Sequence, residues 1–196
     1  MEAFEEILVI PADSLGDENG LIPMDKNDLE KLIASKGQYV FKGGQLESNE
    51  AYKQIITYPL IKVDNKFLFA RRTNKGGENR LHGLGLIGFG GHVRKEDIQD
   101  RAFDTWIERE LFEELYIKSN IINKEYLGII SDNSNPVGKV HAGIVVIVNL
   151  DGQNVSPIEN THELLEWKSL KDLKSIESEM ETWSALLLKE LYGDNR

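Results

Sequence analysis

Hydrophobic and polar positions follow two different periods along this chain of 196 residues. Extended apolar and β-branched runs predict strands at 5–11, 39–42, 54–63, 67–72, 125–132 and 139–150. A spacing of three to four residues predicts a short helix at 25–36 and a C-terminal helix from about Glu179 to Tyr192. Pro59 cannot donate a hydrogen bond, so we expect its strand to lie at an edge or to contain a bulge.

The segment from 73 to 117 predicts a loop in its first half and a helix in its second half. Residues 73–92 are rich in glycine and predict a loop, a short strand at 86–89 and then a Gly-Gly turn. From 97 to 117, apolar residues recur every three to five positions, which predicts one helix with an apolar stripe. The order of strands, helix, strands and helix predicts an α+β fold, or a mixed sheet with helices packed against its faces.

Composition excludes several classes of function. The net charge of −10 opposes the phosphate backbone, so we expect no nucleic-acid duplex as a partner. The sequence has no cysteine, which excludes disulfides, thiolate metal sites and cysteine nucleophiles. The N-terminus lacks the features of a signal peptide, and the longest aliphatic run, 144–148, is too short to span a bilayer. We therefore expect a cytoplasmic protein with no membrane partner.

Three carboxylates mark the predicted helix. Glu110, Glu113 and Glu114 stand at i, i+3 and i+4, so their side chains converge on one side. Like charges at this spacing repel each other, and a divalent cation would remove the repulsion. Carboxylate clusters suit Mg²⁺ or Mn²⁺, and these ions suit phosphate substrates. The alternative is an ordinary solvated acidic helix face, which is common in a chain with 33 acidic residues.

The surrounding residues resemble a known signature. The run from Arg109 to Glu114 resembles the second half of the Nudix hydrolase box, G-x5-E-x7-R-E-U-x-E-E-x-G-U, where U is aliphatic. Gly90-Gly91-His92 resembles its glycine entry. The resemblance covers roughly 54–192 and implies a Nudix-like mixed β-sheet sandwiched between helices, at 51–196. Residues 1–50 would form an N-terminal extension packed on the core, which could help to form a homodimer or cover the substrate.

The match has three departures from the box. Eighteen positions separate Gly91 from Arg109, where the signature has about fourteen, and the register of the first glutamate falls on Arg101. Candidates to replace that glutamate are Glu96, Asp97 and Asp100. Tyr116 stands at the late glycine.

The resemblance also implies roles for individual residues. Glu113 and Glu114 would be primary ligands of Mg²⁺ or Mn²⁺, Glu110 would be a further ligand, and a carbonyl at Gly90 or Gly91 could complete the shell. Arg109 would fix one glutamate by a charge-assisted bond, and together with the three glutamates it forms the predicted catalytic set. The candidates for substrate binding are Arg71, Arg72, Arg80 and His92. The candidates for a general base are Glu159, Glu163, Glu166, Glu179 and Glu181. His141, which begins an apolar strand, is predicted to be structural.

The implied function is a metal-dependent hydrolase that cleaves the diphosphate linkage of a nucleoside diphosphate joined to another group. Its partner would be a small-molecule diphosphate. One alternative is an enzyme similar to isopentenyl-diphosphate isomerase, whose main type uses an active-site cysteine that this chain lacks. Another is a non-catalytic, nucleotide-binding regulatory module of the Nudix fold. Such modules usually lose a glutamate of the metal helix, and all three are present here.

Overall fold

Eleven strands and five α-helices are found in a computed structural model that describes residues 5–73, 83–98, 102–158 and 162–193. The strands are β1 (Glu6–Pro11), β2 (Gly20–Pro23), β3 (Gln38–Phe41), β4 (Tyr52–Val63), β5 (Lys66–Arg72), β6 (Gly85–Leu86), β7 (Leu115–Ile117), β8 (Ile121–Ser131), β9 (His141–Leu150), β10 (Val155–Pro157) and β11 (His162–Ser169). The helices are α1 (Lys26–Lys36), α2 (Ala102–Glu114), α3 (Pro136–Val140), α4 (Leu170–Ser175) and α5 (Thr182–Gly193).

A mixed sheet forms the centre of the fold. Its main path runs β11-β5-β4-β9-β8-β2, while β1 pairs with β3 and β4, and β6 pairs with β5. The β4–β9 pair is parallel, and the other pairs of this sheet are antiparallel. β7 and β10 form a separate two-stranded sheet. The predicted mixed sheet is therefore confirmed.

Alternation along β9 shows how the helices cover both faces of the sheet. Ile144 and Val146 pack into one apolar cluster, whereas Val145 and Ile147 pack into the other. This is the period of two expected for a strand buried on both sides. The first cluster includes α1 and α2 side chains, and the second includes side chains of α4 and α5. The predicted α+β sandwich is confirmed.

Side-chain hydrogen bonds cap the first turns of α1 and α4. Asp25 caps α1, where its carboxylate accepts a hydrogen bond of 2.9 Å from the Asp28 amide. Ser169 and Asp172 form a reciprocal capping box at the start of α4. These caps fix where the helices begin, next to the strands that precede them. Among the described helices, none is long and apolar enough to cross a membrane.

The structure corrects several sequence-based predictions. The predicted helix at 97–117 is a 3₁₀ turn (Lys95–Ile98) followed by α2, and residues 115–117 leave the helix to pair with β10. The predicted strand at 86–89 is shorter and begins earlier, as β6. The strand predicted at 125–132 begins at Ile121, as β8. The edge position or bulge expected for Pro59 is not found, because Pro59 pairs with Val146 in the continuous register of β4 and β9. On its carbonyl, Pro59 accepts a hydrogen bond of 3.0 Å from the Phe89 amide.

The N-terminal segment contributes strands to the main sheet. β1 pairs with β4 through Val9, Ile10 and Pro11. β2 pairs with β8 at the far edge of the path. The division of the chain at residue 50 stays a prediction.

Candidate active site

The three glutamates of α2 surround one small cavity. The apolar residues of the same helix, among them Phe103, Trp106, Ile107 and Leu111, are buried in the core and fix how the helix is turned. Glu110 is only 4% exposed, Glu114 is half-buried and Glu113 is exposed. The cavity has a volume of about 290 Å³. Its other lining residues are Glu5, Lys42, Gly91, His92 and Arg94.

The Gly90–Gly91 turn lies directly against this cluster. An ideal Cβ placed on Gly91 would lie 2.5 Å from Oε2 of Glu110, and one on Gly90 would lie 2.1 Å from the carbonyl oxygen of Thr57. Backbone contact therefore excludes a Cβ at position 90, whereas a Cβ at position 91 would displace the Glu110 carboxylate. The Gly91 carbonyl accepts a hydrogen bond of 3.0 Å from the Thr57 amide, which fixes the turn on β4.

Arg109 connects the carboxylates around the cavity. Its Nη2 lies 2.7 Å from Oδ2 of Asp97 and 2.5 Å from Oε1 of Glu110, and its Nη1 lies 3.0 Å from Oε2 of Glu113. Nη2 also donates to the His92 carbonyl at 3.1 Å. Burial opposes the charge of Arg109, but the bonds to Asp97 and the charges of Glu110 and Glu113 outweigh it and raise its pKa. This cation holds the glutamates in place.

Burial changes the acidity of Glu110. It raises the pKa of this carboxyl to about 7, although the neighbouring charge of Arg109 acts in the opposite direction. A further positive charge next to Glu110 would stabilise the ionised form of its carboxyl group. The donor set of three carboxylates beside exposed backbone fits a hard divalent cation such as Mg²⁺ or Mn²⁺.

A larger cavity of about 620 Å³ adjoins the first and shares Lys42, Gly91 and His92 with it. Aromatic side chains form part of its wall, where Tyr58 and Trp183 meet edge to face with ring centroids 5.3 Å apart. The volume lies in the range of small-molecule sites. The other lining residues are Glu47, Ile56, Arg72, Gly90, Asn135, Val137, Gly138, His141, Glu181 and Thr182.

Glu181 is held rigidly in this wall. Nε of Arg72 lies 3.0 Å from its Oε2, and the Tyr58 hydroxyl donates to its Oε1 at 2.5 Å. Burial and then the charge of Glu181 raise the pKa of Tyr58, so the phenol remains a donor. The wall therefore presents a fixed anion next to the guanidinium of Arg72.

The remaining base candidates lie elsewhere or outside the described residues. Glu179 pairs with Arg71, and Glu166 pairs with Lys168 at 2.7 Å. Glu159 and the side chain of Glu163 lie outside the described residues. Of the candidates whose side chains are described, Glu181 alone lines either cavity.

Two of the four predicted substrate-binding residues, Arg72 and His92, line the larger cavity. Arg71 lines neither cavity, and besides Glu179 it contacts the Gly83 carbonyl at 3.2 Å. Arg80 lies outside the described residues. Burial first, and then the charges of Lys42, His141 and Arg94, lower the pKa of His92 to about 3, so its ring is neutral near pH 7.

Comparisons with known proteins agree with this geometry. No family model matches the chain. The protein YmaB of Bacillus subtilis (strain 168) is 32% identical over 202 residues, which cover 94% of this chain and 96% of YmaB. The crystal structure of Tm1382, a protein provisionally assigned as a Nudix hydrolase, superposes with a TM-score of 0.81 at 26% identity and covers 96% of this chain and 99% of its own. The chain belongs to the Nudix hydrolase family.

Other Nudix structures share the fold at lower identity. One is a bifunctional NMN adenylyltransferase/ADP ribose pyrophosphatase from Francisella tularensis, in complex with AMP and a manganese ion. It has a TM-score of 0.53 and 17% identity, and the match covers 72% of this chain and 42% of that one. At this identity the likeness concerns the fold alone.

Within the lengthened box, the 3₁₀ turn Lys95–Ile98 follows the Gly90–Gly91 turn and brings Asp97 into contact with Arg109. Glu96 is exposed, while Asp100 and Arg101 lie outside the described residues. Of Glu96 and Asp97, the two candidates that the structure describes, Asp97 contacts Arg109.

Sequence reasoning missed several residues of the cavities. Lys42, Glu47 and Tyr58 belong to no motif, and they precede the Nudix box by 32 residues or more when counted to Gly90. Their neighbourhood follows from the β1–β4 and β4–β9 pairings, which a single sequence does not reveal.

Proposed function

We propose that the protein is a metal-dependent hydrolase that cleaves the diphosphate linkage of a nucleoside diphosphate joined to another group. One observation carries the proposal: Glu110, Glu113 and Glu114 surround a cavity beside the Gly90–Gly91 turn, and this cavity adjoins a larger one that contains Arg72. The carboxylates around the smaller cavity suit a hard cation. The larger cavity has the size of a small-molecule site.

The residues of α2 would hold Mg²⁺ or Mn²⁺. Glu113 and Glu114 are accessible enough to act as primary ligands, and buried Glu110 would complete the set. Arg109 orients two of them through its contacts to Glu110 and Glu113. The Gly91 carbonyl, which accepts from the Thr57 amide at 3.0 Å and from the Thr57 hydroxyl at 3.5 Å, would complete the shell by replacing the longer of these bonds. The bound cation would neutralise the charge that develops on the phosphoryl oxygens.

The larger cavity would bind the rest of the substrate. The guanidinium of Arg72 offers a charged donor for a phosphate oxygen or a terminal group. The fixed carboxylate of Glu181 would accept hydrogen bonds from hydroxyl groups such as those of a ribose. Trp183 offers an aromatic face on which a nucleobase could stack.

In the reaction, a water oxygen attacks one phosphorus and the bond from that phosphorus to the bridging oxygen breaks. Both products carry a phosphate group, and the proton of the water passes to a base. Glu181 lines the larger cavity, but Tyr58 and Arg72 already bind both of its oxygens. The base therefore stays open among Glu181, Glu159 and Glu163.

A hydrolysis panel tests the proposal. ADP-ribose, nucleotide sugars, dinucleoside polyphosphates and non-nucleotide diphosphates would be incubated with Mg²⁺ or Mn²⁺ in ¹⁸O-water. We expect the label on a phosphate product, detected by mass. Glu113→Gln should lower turnover by orders of magnitude, because a neutral amide is a poor ligand for Mg²⁺.

Glu108→Gln is the matched control. Glu108 lies on the same helix, but its carboxylate accepts a hydrogen bond of 2.5 Å from Lys124 and lines neither cavity. The Glu108→Gln variant should keep its turnover within a few-fold of the wild-type value. Label found only on a group without phosphorus, or equal turnover in Glu113→Gln and the wild type, would contradict the proposal.

A further inference from the structure

Two imidazoles and a carboxylate meet in the wall of the larger cavity. His92 follows the Gly90–Gly91 turn, His141 begins β9, and Glu47 lies on the 3₁₀ turn Leu46–Ser48. One potential ligand atom from each residue lies within 4.8 Å of those of the other two. Three separate segments of the chain thus direct metal-binding groups toward one point. None of the three belongs to α2.

Hydrogen bonds fix both rings in a form that can bind a metal. Nδ1 of His141 donates to the Val137 carbonyl at 2.8 Å, and Nε2 of His92 lies 2.9 Å from Oε1 of Gln54. Both oxygens are acceptors, so in the neutral form of each ring the bonded nitrogen carries the proton and the other nitrogen carries the lone pair. Histidine ligands of metals are commonly oriented in this way by an oxygen acceptor.

Gln54 connects two of the three residues. It is completely buried, its Oε1 faces His92, and its Nε2 donates to Oε1 of Glu47 at 3.4 Å. The oxygen and the nitrogen of one buried amide therefore position two potential metal ligands, His92 and Glu47. This is the arrangement of a supporting shell around a ligand set.

Charge and exposure are compatible with a cation that can exchange. His141 is buried, whereas Glu47 is exposed, so the cluster opens toward the cavity. Lys42 lines both cavities and Glu5 pairs with it at 3.3 Å, while Arg94, another cation that acts on His92, pairs with Glu5 and Glu113. These ion pairs reduce the repulsion that Lys42 and Arg94 would exert on a bound cation.

We propose that Glu47, His92 and His141 form a second metal site, for a divalent transition metal of the Zn²⁺ class. Two imidazoles and a carboxylate are a known donor set for zinc sites that keep a fourth position open. Mg²⁺ prefers oxygen ligands and suits the carboxylates of α2 instead. The open position would face the cavity and could bind an oxygen of a phosphate or terminal group. The site goes beyond the proposed hydrolysis and does not depend on it.

Cobalt spectroscopy tests the site in the full chain. Chelator-treated protein would be titrated with Co²⁺, because a four-coordinate site with imidazole ligands absorbs visible light far more strongly than an octahedral all-oxygen site. We expect one equivalent of intense absorption, which Zn²⁺ removes. Zn²⁺ affinity, measured by competition with a chromophoric chelator, should fall by about tenfold or more in Glu47→Gln and by about a hundredfold in His141→Gln.

Two controls locate the metal. Glu50→Gln changes an exposed carboxylate close to Glu47 in sequence, which pairs with Lys139 at 3.2 Å, and it should keep the wild-type affinity. Glu113→Gln should keep it as well, since its carboxylate belongs to the other cavity. If His141→Gln does not fold, as judged by circular dichroism, Glu47→Gln decides because Glu47 is exposed. Absence of the intense band, an unchanged affinity in Glu47→Gln, or loss of the band in Glu113→Gln alone would overturn the proposal.

Discussion

Oδ2 of Asp97 lies 2.7 Å from Nη2 of Arg109, and the Asp97 side chain is only 2% exposed. The same carboxylate oxygen accepts a hydrogen bond of 2.7 Å from the Arg94 amide. Asp97 therefore anchors the residue that orients the glutamates of α2. The 3₁₀ turn Lys95–Ile98, which carries Asp97, therefore helps to fix the position of Arg109.

Asp97→Asn should destabilise the protein by about 2–4 kcal/mol. Removal of one member of a buried ion pair costs more than this when the other charge is left alone, but Arg109 is 20% exposed and keeps Glu110 and Glu113. Urea unfolding measures the change. Glu50→Gln, which breaks an exposed pair with Lys139, should cost less than about 0.5 kcal/mol. Equal losses in the two variants would contradict the anchoring role.

Gly91→Ala should weaken binding of Mn²⁺ by about tenfold or more, in line with changes in the shell around a metal. The added Cβ would lie 2.5 Å from Oε2 of Glu110, so the carboxylate has to move. Gly43→Ala is the control, because a Cβ there meets nothing within 4 Å. A titration of Mn²⁺ followed by electron paramagnetic resonance compares the two. Unchanged affinity in Gly91→Ala would show that the position of Glu110 is unimportant for the cation.

Gly128→Ala should release β2 from the sheet. Gly128 has a φ of 136°, and a Cβ there would lie 2.0 Å from the Ile22 carbonyl oxygen. Gly20→Ala separates backbone strain from the clash, because Gly20 has a φ of 131° and open space around it. The strain alone costs about 1–3 kcal/mol, and Gly128→Ala should cost more.

Hydrogen exchange gives the local readout for this pair of variants. The Met24 amide donates to the Leu127 carbonyl at 3.2 Å, so it should exchange faster in Gly128→Ala than in Gly20→Ala. The same exchange rate in both would mean that the clash does not displace β2.

Stability should depend on Asp104 at acidic pH. Burial opposes its ionisation, but hydrogen bonds from Lys26 and Tyr126 and the charge of Lys124 outweigh it and lower its pKa to about 2, from 3.8. The ionised carboxylate therefore stabilises the fold above about pH 4, and this contribution is lost as the pH falls toward 2. The side chain is 41% exposed, so we expect only about 1 kcal/mol after solvent screening.

The free energy of unfolding of Asp104→Asn, measured from pH 7 to pH 2.5, checks this. The deficit of the variant relative to the wild type should shrink as the pH falls below 4. Asp17→Asn, at an exposed position, should show no comparable trend. A deficit that is constant with pH would mean that the charge of Asp104 does not stabilise the fold.

Strong local patterns made much of this fold predictable. The apolar runs of β4, β5 and β9 and the stripe on α2 identify the sheet and the helix that faces it. The run from Arg109 to Glu114 identifies the carboxylate cluster, because i, i+3 and i+4 spacing is preserved in any helix. Because Leu115 continues the stripe, the pattern predicts that the helix extends through 115–117, but pairing with β10 outweighs that local preference.

The other parts of the fold and of the site depend on tertiary contacts that the sequence alone does not reveal. β2 is only four residues long and shows no clear alternation, so its pairing with β8 was not visible in the sequence. The contact of Asp97 with Arg109 depends on the path of the chain between the Gly90–Gly91 turn and α2, which no local pattern reveals. Glu47, His92 and His141 come from three distant segments, and the apolar strand that His141 begins predicts a structural role for it.

The central claim is that the carboxylates of α2 hold a divalent cation. Thermal melting with chelator and with Mn²⁺ tests it most directly. At a hundredfold excess over the Kd, binding to the folded state adds about 2.7 kcal/mol, which should raise the Tm by roughly 5–10 °C. Glu108→Gln should keep this increment and Glu113→Gln should lose most of it, and both variants retain Glu47, His92 and His141, so any contribution from those residues cancels. An equal increment in the two variants would contradict the assignment of α2 as the metal site.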